Sequence, residues 1–311
     1  MLDANTTNGT ERDGGTTHGR VAGESSFERS PASAKGGAVP RARDLLDFKE
    51  LLSATEQKQI EFVRRSFEPG ALDRGVRLAQ RYIGSNWIEY CTRNIRHVHG
   101  LARLPKFDPK KSYLVVSNHR SFFDLYTVTG YLVNRDMPHR LVFPVRSAFF
   151  YDRPLGLVVN GVMSFFAMYP PVFRERQRAA LNLASLDETV RLLQRGGTFV
   201  GLHPEGTRNQ GDDPYALLPA QSGVGRVIQA ARVDVIPVFV NGLGNDLPKQ
   251  IAGNFTKKGT PIIVNFGAPI DFDGMLDQPA SPRLHRRISE HALDRIRLLG
   301  EEERAIRASL R

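Results

Sequence analysis

Residues 112–117, Ser-Tyr-Leu-Val-Val-Ser, lead without a break into Asn118-His119-Arg120-Ser121-Phe122-Phe123-Asp124. A β-branched and aromatic run, a polar turn and a helical apolar pattern over 122–134 predict a strand, a loop and a helix. Strands and helices continue to alternate after this stretch. Further strands are predicted at 140–144, 163–168, 197–202, 235–240 and 261–266, and further helices at 178–195, 221–231 and 282–299. Strands alternating with helices predict an α/β fold with a mixed, mostly parallel sheet covered by helices. In such sheets ligands bind where loops leave the carboxyl ends of the strands, and His119 lies at such an end.

Upstream, residues 44–95 predict a small helical region. Leu45, Leu46, Phe48, Leu51 and Leu52 recur at helical spacing, as do Ile60, Val63 and Phe67. Glu68-Pro69-Gly70 interrupts the pattern, and a second helix is predicted from Ala71 to near Arg93. Residues 1–43 contain 16 Gly, Ser or Thr and few large apolar side chains, too few to offset the entropy of ordering. The expected organisation is therefore a disordered segment 1–43, a helical region 44–95 and an α/β domain 96–311.

The 41 % hydrophobic and 24 % charged content of the 311 residues excludes collagen, coiled coil and wholesale disorder. The net charge is +10, and the first 43 residues, with six basic and five acidic side chains, hold only +1 of it. The folded part is thus basic, which suits nucleic acid, anionic lipid or phosphorylated metabolites as partners. The single cysteine, Cys91, excludes a disulfide framework and a four-cysteine zinc site within one chain. No secretory signal and no transmembrane helix is predicted. The nearest apolar stretch, Leu155 to Met168, is interrupted by Asn160 and two glycines.

Two motifs carry chemistry. In the first, His119 follows a strand and Asp124 comes five residues later, across a strand-to-helix turn that can bring the two together. A carboxylate beside an imidazole selects its tautomer and stabilises the imidazolium formed on proton abstraction, so the pair suits a general base and its orienter. The same residues also fit a capping box with Ser121 as N-cap and Asp124 near the helix dipole. The second motif, His203-Pro204-Glu205-Gly206-Thr207-Arg208-Asn209, also follows a strand. Arg208 offers a guanidinium fork and Thr207 a hydroxyl, while Gly206 admits close backbone approach to an anion. Glu205 has two readings, an acceptor for an alcohol or a surface partner of Arg208.

Together, residues 112–124 and 198–208 resemble the glycerolipid acyltransferases, which carry Asn-His-x4-Asp after one strand and Pro-Glu-Gly-Thr-Arg after another. Phe173-Arg174-Glu175-Arg176 is similar to that family's arginine block, and Val235-Ile236-Pro237-Val238 to a late Ile-Pro-Val block. The resemblance covers about residues 105–270. It implies transfer of a fatty acyl group from an acyl thioester to a hydroxyl of 1-acylglycerol-3-phosphate, giving phosphatidic acid. Glycerol-3-phosphate is the alternative acceptor. His119 would be the base and Asp124 its orienter. Glu205, Gly206, Thr207, Arg208 and one of Arg174 or Arg176 would hold the acceptor and its phosphate, with Asn118, Ser121 and Pro237 in support. Neither a metal nor a cofactor is implied, apart from the acyl-CoA or acyl carrier protein thioester as co-substrate. Gln221 stands where many members of the family have a lysine, which leaves the acceptor headgroup open.

Such an enzyme meets amphiphilic substrates, so peripheral attachment to an anionic membrane surface, on the cytoplasmic inner face, is expected. Phe143, Phe149, Phe150, Tyr151, Leu155, Leu157, Phe165, Phe166 and Tyr169 lie among Arg140, Arg146, Arg153, Arg174 and Arg176. Aromatics flanked by arginines suit an anionic interface, and equally a core or an acyl tunnel. No aromatic-and-basic platform, zinc finger or helix-turn-helix points to nucleic acid. Outside catalysis, the remaining readings are a non-catalytic lipid-binding protein and a metal-dependent phosphoester hydrolase.

Overall fold

A computed structural model describes residues 43–135, 137–152 and 155–310. The disorder predicted for residues 1–43 falls outside these residues, except at Arg43. The chain begins with a 3-10 turn, Leu45–Leu51, and α1, Ala54–Arg65. Ser53 and Glu56 form a capping box at the start of α1, each accepting the other's backbone N–H. After Glu68-Pro69-Gly70 come α2, Ala71–Ala79, a π turn, Gln80–Gly84, and α3, Ser85–Thr92, as one continuous helical rod.

Strands and helices then alternate: β1, Arg96–His99; β2, Tyr113–Ser117; α4, Asp124–Asn134; β3, Arg140–Arg146; α5, Ser147–Phe150; α6, Gly156–Ser164; β4, Met168–Val172. They continue with α7, Ala179–Arg195; β5, Thr198–Leu202; α8, Ser222–Ala231; β6, Asp234–Asn241; α9, Leu247–Thr256; β7, Ile262–Phe266; and α10, Pro282–Ser309. The strand predicted at 163–168 begins five residues later. Val162 and Met163 extend the apolar pattern of α6 instead, and Phe165 and Phe166 end that helix at positive φ. A short apolar run does not distinguish helix from strand by periodicity.

The seven strands form one sheet in the order β1-β7-β6-β2-β5-β3-β4. All neighbours are parallel except β6 and β7, so the sheet is mixed and mostly parallel, as predicted. All residues of β2, β5 and β7 are buried, which explains their mostly apolar character in a sheet covered on both faces. Because β2 pairs with β5 in parallel, with Val116 opposite Leu202, their carboxyl ends lie side by side. This pairing joins two motifs that stand 86 residues apart in the chain.

The N-terminal helices are part of the same core. Leu45, Ile60, Val63 and Phe67 are buried in one cluster with the sheet residues. Arg140, at the start of β3, is fully buried and serves as a tether. Its guanidinium lies 3.7 Å from the centre of the Phe67 ring, donates to Asp73 at 3.0 Å and to Ser66 Oγ at 2.7 Å, and also binds the Ser66 carbonyl. Asp73→Ala leaves this buried charge with neutral partners only. It is expected to destabilise the fold by about 3 kcal/mol, the lower end for a broken buried pair. Chemical denaturation would show this as a lowered midpoint, and an unchanged midpoint would refute the tether.

Candidate active site

The first motif forms its loop around one carboxylate. Asp124 opens α4 and is buried to 1 % side-chain exposure. Its Oδ2 accepts the backbone N–H groups of Arg120 and Ser121, each at 2.8 Å, and the Nδ1–H of His119 at 3.3 Å. The carboxylate therefore both folds the turn and orients the imidazole. The capping-box reading does not hold. Phe123 is the N-cap residue and no side chain caps the helix. Ser121 Oγ instead donates to the Gly244 carbonyl at 2.8 Å and accepts from Phe123 N–H. Asn118, fully buried, closes the strand end with two bonds to Val240, one in each direction, at 2.9 and 2.8 Å.

The second motif holds the backbone of the first. Glu205 is 1 % exposed, and its two oxygens accept from His119 N–H and Leu218 N–H, both at 2.7 Å. Asn209 N–H donates to the His119 carbonyl at 2.8 Å. His119 is thus fixed on both sides of its Cα. Glu205, expected to bind the acceptor, is not among the residues that line the cavity; a buried carboxylate is satisfied first by nearby unpaired backbone donors. Gly206 adopts φ +67, and a Cβ there would meet Gln221 Cγ at 2.8 Å, so both its conformation and its neighbour demand glycine.

His119 and His203 line a cavity of about 330 Å³ together with Gly206, Thr207, Arg208, Arg174 and Gln221. Arg174 donates to Thr207 Oγ1 at 3.4 Å, and Arg208 to Asn245 Oδ1 at 3.2 Å. Arg146, at the end of β3, joins them at the wall. In the sequence it is only a flank of the aromatic stretch, and its place here depends on β3 lying next to β5. Arg176 is exposed on a 3-10 turn and does not line the cavity, so the structure favours Arg174 of the two. Pro237 is buried in β6 against Gly267, away from the cavity, and its support is to the sheet. Asn245, which also accepts from Phe122 N–H, had no signal in the sequence.

Burial, helped by Arg208 and Arg174, lowers the His119 imidazole to about 4. Burial raises Asp124 to about 6, against the opposing pull of His203 and of the Ser121 and Arg120 N–H groups. At neutral pH the pair is therefore a neutral imidazole and a carboxylate, the form a general base requires. As pH falls, the carboxylate is lost first and the free imidazole second. A reaction using His119 as base is expected to lose kcat/KM over a broad acid limb between pH 6 and 4. An anion bound at Arg174 and Arg208 would remove the repulsion those cations exert on an imidazolium. The acid limb of kcat should therefore lie at higher pH than that of kcat/KM, and coincident limbs would contradict this arrangement.

His119, Asp124 and His203 bring donor atoms within 4.8 Å of one another. The two imidazole rings, however, are parallel to within 8°, with centroids 3.7 Å apart. In-plane lone pairs of parallel rings do not converge on one point, so joint ligation of a cation would need a ring to turn.

A second cavity, of about 360 Å³, adjoins the first and shares Phe122 and Tyr126 with it. Its lining is mostly apolar, including Ile83, Trp87 and Ile88 from the helical rod and Val162, Met163 and Phe165 from α6 and its end. At its rim Ile83, Trp87, Val162 and Met163 are exposed, and Leu78, Tyr82, Leu155 and Val158 are exposed on or beside the same helical elements. This differs from the predicted aromatic patch. Phe143, Tyr151, Tyr169 and Arg140 belong to the interior, while the Phe150 side chain and Arg153 lie outside the described positions. Among the described residues, no helix is long and apolar enough to cross a membrane.

Residues 95–241 match the protein family described as Acyltransferase. The human 1-acyl-sn-glycerol-3-phosphate acyltransferase beta is 27 % identical over 165 residues, which is 51 % of this chain and 53 % of that protein. The mouse 1-acyl-sn-glycerol-3-phosphate acyltransferase alpha is 26 % identical over 49 % of this chain and 48 % of its own. The chain thus spans about half the length of these curated relatives. The crystal structure of the 1-acyl-sn-glycerophosphate (LPA) acyltransferase from Thermotoga maritima is similar with a TM-score of 0.48 and 20 % identity, over 78 % of this chain and 88 % of that one.

Proposed function

We propose that this chain, whose residues 95–241 match the Acyltransferase family, moves a fatty acyl group from a thioester to the free hydroxyl of 1-acylglycerol-3-phosphate. The observation that carries this reading is the His119–Asp124 pair in the wall of a cavity that also presents Arg146, Arg174 and Arg208. A base and three arginines lining one cavity suit an acceptor with a hydroxyl near a phosphate.

In this reading Arg208 and Arg174 hold the phosphate, with Thr207 between them. His119 Nδ1–H points to Asp124, which leaves Nε2 for the hydroxyl. The hydroxyl oxygen attacks the thioester carbonyl as its proton passes to His119. Collapse of the tetrahedral intermediate breaks the C–S bond, and the proton goes to the departing thiolate. No covalent enzyme intermediate is needed, which agrees with the placement of Cys91 in α3, buried and away from the site. Holding alcohol and thioester together removes much of the entropic barrier. The apolar groove beside the site suits a fatty acyl chain. The apolar rim around it, on a chain of net charge +10, suits peripheral contact with an anionic bilayer at the cytoplasmic face.

The test is thiol release from a long-chain acyl-CoA by the purified protein. Acceptors are 1-acylglycerol-3-phosphate, glycerol-3-phosphate and neutral lysolipids, with His119→Ala alongside. The expected result is release that depends on the lysophosphatidic acid and is lost in the variant. Preference for glycerol-3-phosphate would replace the acceptor and keep the chemistry. Release unaffected by His119→Ala would refute the mechanism. Activity lost in chelator would favour the metal-dependent hydrolase.

A further inference from the structure

The grip of Asp124 on the base is weaker than the sequence spacing suggests. The His119 Nδ1–H bond is 3.3 Å long, and the oxygen that accepts it already takes two backbone N–H groups at 2.8 Å. One long, shared hydrogen bond leaves the ring free to tilt about it. A base that must direct the lone pair of Nε2 at a bound hydroxyl needs a second constraint on the plane of its ring.

The ring of His203 lies face to face with that of His119, with centroids 3.7 Å apart and planes within 8°. His203 is itself pinned. Its Nδ1–H donates to the carbonyl of Ser117 at 3.0 Å, which places its proton on Nδ1 because a carbonyl only accepts. Ser117 ends β2, the strand that also delivers His119, and His203 directly follows β5, the parallel neighbour of β2. The plane of the base is thus referred, through His203, to the strand from which the base projects. A phenylalanine would offer the same face without the pin, and an aliphatic side chain would offer neither.

We propose that His203 is a positioning residue for the base: its pinned, neutral ring sets the plane of the His119 imidazole and receives the imidazolium over its π-face during proton transfer. This rests on His119 being the base. Two stacked imidazoles are not both protonated to imidazolium, and the surroundings keep His203 neutral. Burial and the neighbouring His119 hold it at about 3, against the opposing effects of Asp124 and the Ser117 and Asn118 carbonyls. The charged groups bearing on the stack are Asp124 from α4, Arg174 and Arg208 from the cavity wall, and Arg120 and Glu205, which act on Asp124 and the loop.

The test is a series at position 203 in the full-length protein, comparing His203→Phe, His203→Leu and His203→Ala. Kinetics are read with acyl-CoA and the acceptor found for the wild type. The state of His119 is read separately by histidine side-chain NMR, with His119→Ala identifying its signal, so this arm is independent of acyl transfer. In the wild type and His203→Phe, His119 is expected to keep a single Nδ1–H tautomer and to titrate well below the usual histidine range. In His203→Leu and His203→Ala it should populate both tautomers and titrate nearer that range. The kcat of the Leu and Ala variants should fall about a hundredfold, the scale of a misplaced reacting group, with both KM values within about twofold. The Phe variant should stay within about fivefold of wild type, since it retains the face. Wild-type kcat and an unchanged His119 titration in His203→Leu would overturn the proposal. If the Ala variant does not fold, the Phe and Leu variants decide between the same two outcomes. If the wild type transfers no acyl group, the NMR comparison alone decides the positioning role, and only the reading of function has failed.

Discussion

Asp124→Asn is expected to lower kcat by about a thousandfold or more, the scale seen when the carboxylate behind a catalytic histidine is neutralised. The substitution is informative because it isolates charge from shape. The amide oxygen can still accept the Arg120 and Ser121 N–H groups that Oδ2 accepts in the wild type, so the turn around His119 can persist. What is lost is the negative charge 3.3 Å from Nδ1, which stabilises the imidazolium as the hydroxyl proton arrives. KM for the phosphorylated acceptor should change little, since Asp124 does not line the cavity. The pH profile should change shape as well. The component that Asp124 contributes near pH 6 should vanish, leaving the lower one from His119. A variant within tenfold of wild type would mean that the carboxylate serves only to fold the loop.

The second large effect is expected from Glu205→Gln. Both carboxylate oxygens accept a backbone N–H at 2.7 Å, one from His119 and one from Leu218. An amide can accept only one of them and must turn its own NH2 toward the other. Leaving a buried donor unpaired costs about 1–3 kcal/mol, so the melting temperature should fall. The donor affected is either the backbone of the base or that of the loop holding it. The kcat should therefore drop about a hundredfold through misplacement of His119. Had Glu205 bound the acceptor, the variant would show a raised acceptor KM with kcat retained. Steady-state kinetics on the folded variant separates these two patterns.

Much of the fold is legible in the chain because it is local. The strands 113–117, 198–202, 234–241 and 262–266 and the helices 124–134, 179–195 and 222–231 fall within two residues of where periodicity and turn chemistry place them. The exceptions have physical causes. The stretch 155–168 is mostly apolar, with short runs on either side of Asn160 and Ser164 that carry no clear period, and it forms a helix followed by a turn. Helix α10 runs to Ser309 rather than 299 because Leu299, Gly300 and Glu303 remain buried against the sheet, with Gly300 seated on the Phe239 ring.

The chemistry divides in the same way. His119 and Asp124 are five residues apart across one turn, so their pairing is a local property and the sequence alone determined it. The roles of Glu205 and His203 are not local. They arise because β2 and β5, 86 residues apart in the chain, are parallel neighbours with aligned carboxyl ends. Only the tertiary structure decided that Glu205 turns inward to two backbone N–H groups, that His203 lies flat on His119, that Arg146 joins the cavity and that Arg176 does not. The same holds for the apolar rim, which combines side chains of the rod 71–92 with those of α6. Residue type states which bonds a side chain is able to make. Which of them it does make, once buried, is set by the unpaired groups that strand pairing brings within 3 Å, and no spacing along the chain records those.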